Sequence, residues 1–235
     1  MGEADWRGKN VLDFGGNIGN ILRDPDSTID HERYWCIDVV QESIEKGKKE
    51  FPAAHWVFYD RYCFFFHPDG IRELPLPRFE RRFDIIVAYS VFTNTPRTDM
   101  LQLVSQLEDR LAENGALAFT FIDPHYHSWP ERDPRNNLVW RLEREIFLEG
   151  EKGNLLDIDV PALNERARNA AWFVLVNGED LYLETEEVGS YAPEQQRTYH
   201  TFYTAEYMRS LFPSAQILAP AKDEMQHCCV IRKTS

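Results

Sequence analysis

The sequence predicts an α/β fold in which a parallel sheet is covered by helices on both faces. Short apolar runs alternate with helical stretches from residue 11 to residue 123, and this alternation is typical of consecutive βαβ units. The run FDIIVAYS at residues 83–90 is almost continuously apolar, as expected for a central parallel strand that is buried on both faces. The run VLDFGGNIGN at residues 11–20 joins a buried strand to a helix through a glycine turn.

The predicted elements of the first half have identifiable starts and stops. The first helix is short because Pro25 follows it, and the second ends before Pro52. Thr95 and Pro96 are predicted to be the N-cap and first residue of a third helix, which ends at Asn114–Gly115. The predicted order is strand 11–14, helix to about 24, strand 34–37, helix 41–50, strand 55–60, strand 83–90, helix 95–114 and strand 115–123.

The alternation breaks after residue 123 and resumes near residue 200. A helix is predicted to begin at Asp133–Pro134, and a later hairpin to turn tightly at Asn177–Gly178. A helix capped by Thr204 and two strands, AQILAP and QHCCVIRK, complete the chain. We therefore expect a core formed by residues 1–123 and 200–235, interrupted by an insertion at residues 124–199.

Composition excludes several classes of partner. The formal net charge is −13, so a nucleic-acid substrate and an anionic membrane are not expected. No apolar run is long enough to span a bilayer, and the polar start MGEADWRGKN is not a signal peptide. The four cysteines form no CxxC pair, which favours buried free thiols and a cytoplasmic location.

The glycine turn and the next strand together predict a nucleotide-type ligand. Gly15, Gly16 and Gly19 allow the backbone to approach a ligand closely, and Asn17 tolerates the left-handed conformation that a turn glycine would adopt. Asp38 ends the second strand roughly 20 residues beyond the glycines, where an acid accepts the hydroxyls of a ribose. The alternative is that Asp38 caps the following helix.

These motifs, in this order, resemble those of the class I S-adenosylmethionine-dependent methyltransferases. The resemblance covers about residues 1–123 and 200–235, and one departure is Asn17 at the second glycine of the usual DxGxGxG. It implies a Rossmann-like, seven-stranded mixed sheet with a terminal antiparallel hairpin, and an α+β insertion between strands 5 and 6. The matching segments are VLDFGGNIGN, CIDVV, FDIIVAYSVFTNTP, LEDRLAENGALAFTFID, YHTFYTAEYMRSLFP and QHCCVIRK.

The resemblance implies S-adenosylmethionine as the cofactor and S-adenosylhomocysteine as its product. Asp13 is expected near the ammonium group of the cofactor, and Asp38 at its ribose. Asp60 is expected either to accept from the exocyclic amine of adenine or to be a turn residue. The other expected cofactor contacts are Gly15, Gly16, Asn17, Gly19, Val39, Tyr62, Tyr89, Ser90 and Phe92, of which Phe92 is equally well explained as core.

The acceptor pocket is expected to lie under the insertion. His125 and His127 directly follow the fifth strand, and histidine is the side chain best suited to remove a proton near pH 7. The alternative is that both are surface or packing residues. The expected substrate contacts are Tyr126, Trp129, His200 and Tyr203. No His/Cys ligand spacing is present, so no metal is expected.

The sequence therefore predicts a methyltransferase (EC 2.1.1.-) that acts on an oxygen or nitrogen acceptor of a small molecule. One alternative is a protein that binds S-adenosylmethionine without methyl transfer. A second is a nicotinamide-dependent oxidoreductase, although no Tyr-Lys or Cys-His hydride-transfer signature follows the glycine turn. The oligomeric state is left open.

Overall fold

The computed structural model describes residues 5–63, 66–123, 170–177, 182–184, 197–221 and 226–233. For residues 173–177, 182–184 and 197–200 the description is of the backbone alone. The helix predicted to begin at Asp133 lies outside the described residues.

A mixed sheet of ten strands organises the described residues. Its first five strands are parallel in the order β3-β2-β1-β4-β5, after which β10 pairs antiparallel with β5, and β9 with β10. This seven-stranded path with its terminal hairpin is the predicted sheet. The strands are β1 Val11–Phe14, β2 Tyr34–Asp38, β3 His55–Phe58, β4 Phe83–Ala88, β5 Leu111–Ile122, β6 Trp172–Asn177, β7 Tyr182–Glu184, β8 Arg197–Tyr203, β9 Gln216–Leu218 and β10 Gln226–Arg232.

Three further strands extend the sheet beyond the carboxyl end of β4. β8 pairs with the last residue of β5 and runs antiparallel to β6, which in turn pairs antiparallel with β7. The Thr201 hydroxyl donates a hydrogen bond to the Thr95 carbonyl at 2.9 Å, so β8 lies against the segment that follows β4. The β6-β7 hairpin confirms a predicted pair of strands, but the predicted tight turn is wrong: Val176 pairs with Tyr182, whereas a two-residue Asn177–Gly178 turn would pair it with residue 179.

Helices cover both faces of the sheet, as predicted. The side chains of β1 alternate between two cores: Val11 packs with Leu22 and Ile44, whereas Leu12 packs with Leu103 and Met208. The helices are α1 Asn20–Arg23, α2 Gln41–Glu50, α3 Arg97–Glu108 and α4 Ala205–Leu211. The predicted cap of α4 is confirmed, because the Thr204 hydroxyl accepts from a backbone N–H in its first turn. No helix in the described part of the chain is long and apolar enough to cross a membrane.

The boundary between α3 and β5 corrects the sequence prediction. The helix has Pro96, not Thr95, as its N-cap and ends at Glu108, well before Asn114. Leu111 is buried and pairs with Phe83, whereas Ala116 pairs with Ile85, so the residues between them form an irregularity within the strand. Asn114 adopts φ 61° there. The Asn-Gly pair was interpreted as a helix stop, but it makes this bend inside β5 because tertiary pairing overrides the local signal.

The bend predicts an unequal response at two neighbouring exposed positions. Asn114→Val should destabilise the protein by about 1–2 kcal/mol, because a β-branched residue is disfavoured at positive φ. Glu113→Val is the matched control at a position that is not left-handed. Urea unfolding measures both, and an equal loss of stability in the two variants would contradict the assigned backbone geometry.

Candidate cofactor-binding site

A cavity of about 700 Å³ opens at the carboxyl ends of the central parallel strands. In open α/β sheets this edge, near the point where strand order reverses, is where ligands bind. Here the reversal is between β1 and β4. Five segments supply its walls: the glycine turn (Phe14, Gly15, Asn17), the end of β2 (Asp38, Val39, Val40), the segment after β3 (Arg61, Tyr62, Cys63), the segment after β4 (Tyr89, Ser90, Val91) and α3 (Thr98, Asp99, Leu103).

The glycine turn brings bare backbone to the cavity wall. Asn17 has φ 55°, which confirms that asparagine takes the left-handed conformation expected of the second glycine. Gly15 has φ 74°, and a Cβ added there would overlap the side chain of Val91. Because Val91 follows β4, the turn and the β4 loop meet at a distance that only glycine allows.

Asp38 connects the end of β2 to the glycine turn. Its Oδ2 accepts from the Asn17 N–H and its Oδ1 from the Val40 N–H, both at 2.8 Å. The residue is only 8% exposed; burial raises the pKa of Asp38, and backbone hydrogen bonds from Val40, Asn17 and Val39 oppose this effect. It does not cap α2, whose N-cap is Val40. Each carboxylate oxygen retains a second lone pair, so Asp38 can accept from a ligand while it holds the turn.

Asp13 lies beneath the turn. The Tyr34 hydroxyl donates to its Oδ2 at 2.6 Å, and a Cβ on Gly16 would come within 2.5 Å of the Asp13 carboxyl carbon. Burial raises the pKa of Asp13 to about 7, although the Tyr34 hydrogen bond opposes the shift. Asp13 is therefore placed to support the turn from behind, and not at the cavity wall where a contact with an ammonium group was expected.

The segment after β3 directs successive side chains to different places. The Asp60 carboxylate pairs with His67 Nε2 at 2.6 Å and lies outside the cavity. Arg61 is buried beside the cavity, and its guanidinium forms an ion pair with Asp99 Oδ1 at 3.1 Å. Tyr62 lines the cavity, with the guanidinium of Arg72 above its ring. Sequence reasoning missed Arg61 and Asp99, because no motif marks them and the contact between them spans distant segments.

A polar network fixes the end of β4. Ser90 has φ 59°, a conformation uncommon for serine. Its N–H donates to the Thr120 hydroxyl at 2.7 Å, and its own hydroxyl accepts from the Gln226 amide at 3.0 Å. Residues from β5 and β10 thus hold a strained backbone at the cavity wall, and such strain is concentrated at functional sites.

The predicted site residues fall into three groups. Gly15, Asn17, Asp38, Val39, Tyr62, Tyr89 and Ser90 line the cavity. Among the residues that the structure describes, Asp13, Gly16, Gly19, Asp60, Phe92 and Tyr203 do not line it. His125, Tyr126, His127 and Trp129 lie outside the described residues, as does the side chain of His200, whose backbone is in β8.

Phe92 and Tyr203 are placed in the core. Phe92 is fully buried and its ring lies 5.2 Å from that of Phe119, which agrees with the alternative interpretation of this residue. Tyr203 is also fully buried and is stacked on Tyr207. No group of His, Cys, Asp or Glu able to hold a metal ion occurs in the described part of the chain.

A family model described as "Methyltransferase domain" matches residues 12–117. This match covers the glycine turn, Asp38, β4 and α3. Residues 12–117 are therefore similar to a methyltransferase domain.

Several solved structures are similar to this chain in fold. The pyocyanin biosynthetic protein PhzM superposes with TM-score 0.51 at 10% identity, over 99% of this chain and 52% of that chain. The S-adenosylmethionine-dependent methyltransferase SibL superposes with TM-score 0.51 at 10% identity, over 100% of this chain and 53% of that chain. The chain therefore spans about half the length of these two proteins. A complex of DhpI with S-adenosylhomocysteine superposes with TM-score 0.50 at 10% identity, over 95% of this chain and 76% of that chain. No curated protein sequence matches the chain.

The residues that line the cavity fit S-adenosylmethionine. S-adenosylmethionine carries no phosphate, and the cavity provides a bare turn at Gly15 and an acidic acceptor at Asp38 where a phosphate would be repelled. The volume of about 700 Å³ is within the usual range of small-molecule sites. Asp38, Val39 and the glycine turn are the residues that would hold the cofactor.

The buried carboxyl of Asp13 predicts a pH dependence of stability. Its pKa is raised from 3.8 to about 7 in the fold, so between these values the folded protein retains a proton that the unfolded chain releases. The stability that Asp13 contributes is therefore complete below pH 4 and is lost as the pH rises to about 7, by roughly 1 kcal/mol per pH unit at the steepest.

Asp13→Asn removes this titration while it keeps an acceptor for the Tyr34 hydroxyl. Urea unfolding from pH 4.5 to 7.5 should show that the wild type loses stability relative to the variant as the pH rises. Comparing the two proteins at each pH cancels the other titrating groups. A difference between them that stays constant over this range would contradict the placement of Asp13.

Proposed function

We propose that this protein is a methyltransferase that transfers the methyl group of S-adenosylmethionine to an oxygen or nitrogen of a small molecule. The observation that carries the proposal is that the glycine turn, Asp38 and the strained end of β4 all face one cavity. The proposal includes the residues that contact the cofactor and the class of molecule that accepts the methyl group.

The described residues support separate contacts for each part of the cofactor. Asp38 accepts the ribose hydroxyls, Val39 and Tyr62 form walls for the base, and Gly15 and Asn17 contact the amino-acid tail with their backbone. When bound, the cofactor supplies a methyl group that is activated by its sulfonium charge. The protein has to position the acceptor, which lowers the barrier by several kcal/mol, and to remove a proton where the acceptor carries one.

His125 or His127 is the proposed base. Both follow Asp123 closely in sequence, and the Asp123 carboxylate accepts from the Ala205 N–H at 2.9 Å, which fixes the point where the chain leaves β5. β8 contacts the segment after β4 on the same side. These contacts support an insertion at residues 124–199 that begins at the rim of the cavity and caps the acceptor.

A small, largely apolar acceptor suits the mouth of the cavity. Tyr89 and Phe66 are 57% and 60% exposed and line the cavity, and large exposed apolar side chains at a cavity mark a binding surface. The net charge of −13 disfavours a nucleic-acid substrate. PhzM, a protein of similar fold, is named for the biosynthesis of pyocyanin, which agrees with a small-molecule acceptor.

The role of Asp38 predicts that its removal weakens cofactor binding, whereas removal of another carboxylate that also accepts from a backbone N–H does not. Asp38→Ala should weaken S-adenosylhomocysteine binding roughly tenfold to hundredfold in calorimetry, since hydrogen bonds to a charged group are lost. Asp30→Ala is the matched control: Asp30 accepts from the Gly8 N–H at 2.7 Å in an exposed turn away from the cavity. Affinity unchanged in Asp38→Ala, or competition by NADH in the wild type, would refute the assignment.

The proposed base predicts a loss of rate without a loss of cofactor affinity. With an acceptor found by radiolabelled methyl transfer, His125→Ala or His127→Ala should lower kcat by about 10²–10⁴-fold and leave S-adenosylhomocysteine affinity unchanged. His55→Ala, at an exposed histidine stacked on Trp35, serves as control. If both variants turn over at the wild-type rate, neither histidine is the base.

A further inference from the structure

The carboxylate expected to recognise adenine is not in the cavity. Asp60 follows β3 closely in sequence, but its carboxylate is hydrogen-bonded to His67 Nε2 at 2.6 Å and its side chain is 48% exposed. Its backbone also closes the same loop, because the Asp60 carbonyl accepts from the Ile71 N–H at 2.7 Å. Asp60 therefore organises the loop after β3, which is the turn role that the sequence had left as the alternative.

A different carboxylate lines the cavity beside that loop. Asp99 is in the first turn of α3, and its side chain is 31% exposed. Its Oδ1 pairs with Arg61, whose side chain is 5% exposed. The guanidinium of Arg61 also donates to the Leu74 carbonyl at 2.7 Å and to Gln102 Oε1 at 3.0 Å. These three partners leave the guanidinium little freedom, so the carboxylate it holds is fixed at the cavity wall.

Asp99 lines the cavity together with three apolar or aromatic side chains. Arg61 pairs with Oδ1 of Asp99, and a carboxylate has lone pairs on both oxygens with which to accept from a ligand. Val39, Tyr62 and Leu103 line the same cavity, and such walls suit a planar ring. Adenine is the planar part of the cofactor, and its exocyclic amine is a hydrogen-bond donor.

We propose that Asp99, positioned by Arg61, accepts the hydrogen bond of the adenine exocyclic amine in place of Asp60. A side chain from α3 thereby recognises the adenine ring, and the loop after β3 orients that side chain. Arg61 is a positioning residue here, because it acts on the ligand through Asp99. This inference rests on the cofactor of the proposed function and is independent of the methyl acceptor.

Two ligands test the proposal; their purine rings differ at position 6 and in the proton on N1, which hypoxanthine carries and adenine does not. S-inosylhomocysteine carries a 6-oxo acceptor where S-adenosylhomocysteine carries the 6-amino donor. The wild type should prefer the adenosyl compound roughly tenfold to hundredfold in calorimetry, because a carboxylate cannot donate to the oxo group. Equal affinity for the two compounds in the wild type would overturn the proposal without any variant. If the wild type bound neither compound, the cofactor assignment and the proposal would fall together.

Matched variants identify the carboxylate. Asp99→Asn should reduce the preference to near unity, because an amide both accepts and donates. Asp60→Asn should keep the wild-type preference, because its amide still bonds to His67 Nε2 and so preserves the loop. Glu73→Gln should keep it too; Glu73 is an exposed carboxylate that also lines the cavity. A preference lost in Asp60→Asn or Glu73→Gln and retained in Asp99→Asn would contradict the role of Asp99.

The ratio of affinities separates recognition from stability. Asp99→Asn leaves the buried Arg61 without its counter-ion, which destabilises the fold, and a general loss of folded protein lowers both affinities equally. Only a change in base recognition alters their ratio. Should Asp99→Asn not fold, the wild-type ratio and the Asp60→Asn ratio still decide: a preference abolished in Asp60→Asn assigns the amine to Asp60 and overturns the proposal.

Discussion

The hydrogen bond from the Asn17 N–H to the Asp38 carboxylate, 2.8 Å long, is the interaction on which the site depends. It fixes the left-handed glycine turn to the end of the neighbouring strand, while the Asp13 carboxyl fills the space beneath Gly16. Two acids thus support the turn, one from the cavity side and one from the core. Asp13 is buried with a hydroxyl partner, whereas Asp38 keeps acceptor capacity toward the cavity. Their environments give the two carboxylates different tasks.

The opposite wall of the cavity is built by contacts between distant segments. The loop after β3 is closed by Asp60 and His67, and it sends Arg61 inward to Asp99 on α3. The end of β4 is held by Thr120 and Gln226, so that Ser90 keeps its strained conformation at the wall. The cavity is therefore shaped by polar contacts between strands and loops that come together only in the folded sheet.

The sequence predicted the features that depend on local pattern. Apolar runs located β1, β2 and β4, and the left-handed tolerance of asparagine explained Asn17. The bend at Asn114 was misassigned because an Asn-Gly pair has the same local signature at a helix end and within an irregular strand. The side chain of Asp60 could not be oriented from sequence, since its direction depends on His67 across a loop. Arg61 and Asp99 carry no motif, so only the packing of the loop after β3 on α3 reveals their pairing.

A crystal structure of the complex with S-adenosylhomocysteine tests most directly the claim that this cavity is the cofactor site. We expect density for the ligand between the glycine turn and α3, with both ribose hydroxyls within hydrogen-bonding distance of the Asp38 carboxylate. We also expect the Asn17 N–H to keep its bond to Asp38 in the complex. Density for the ligand elsewhere on the protein, or a bound ribose that does not contact Asp38, would contradict this claim.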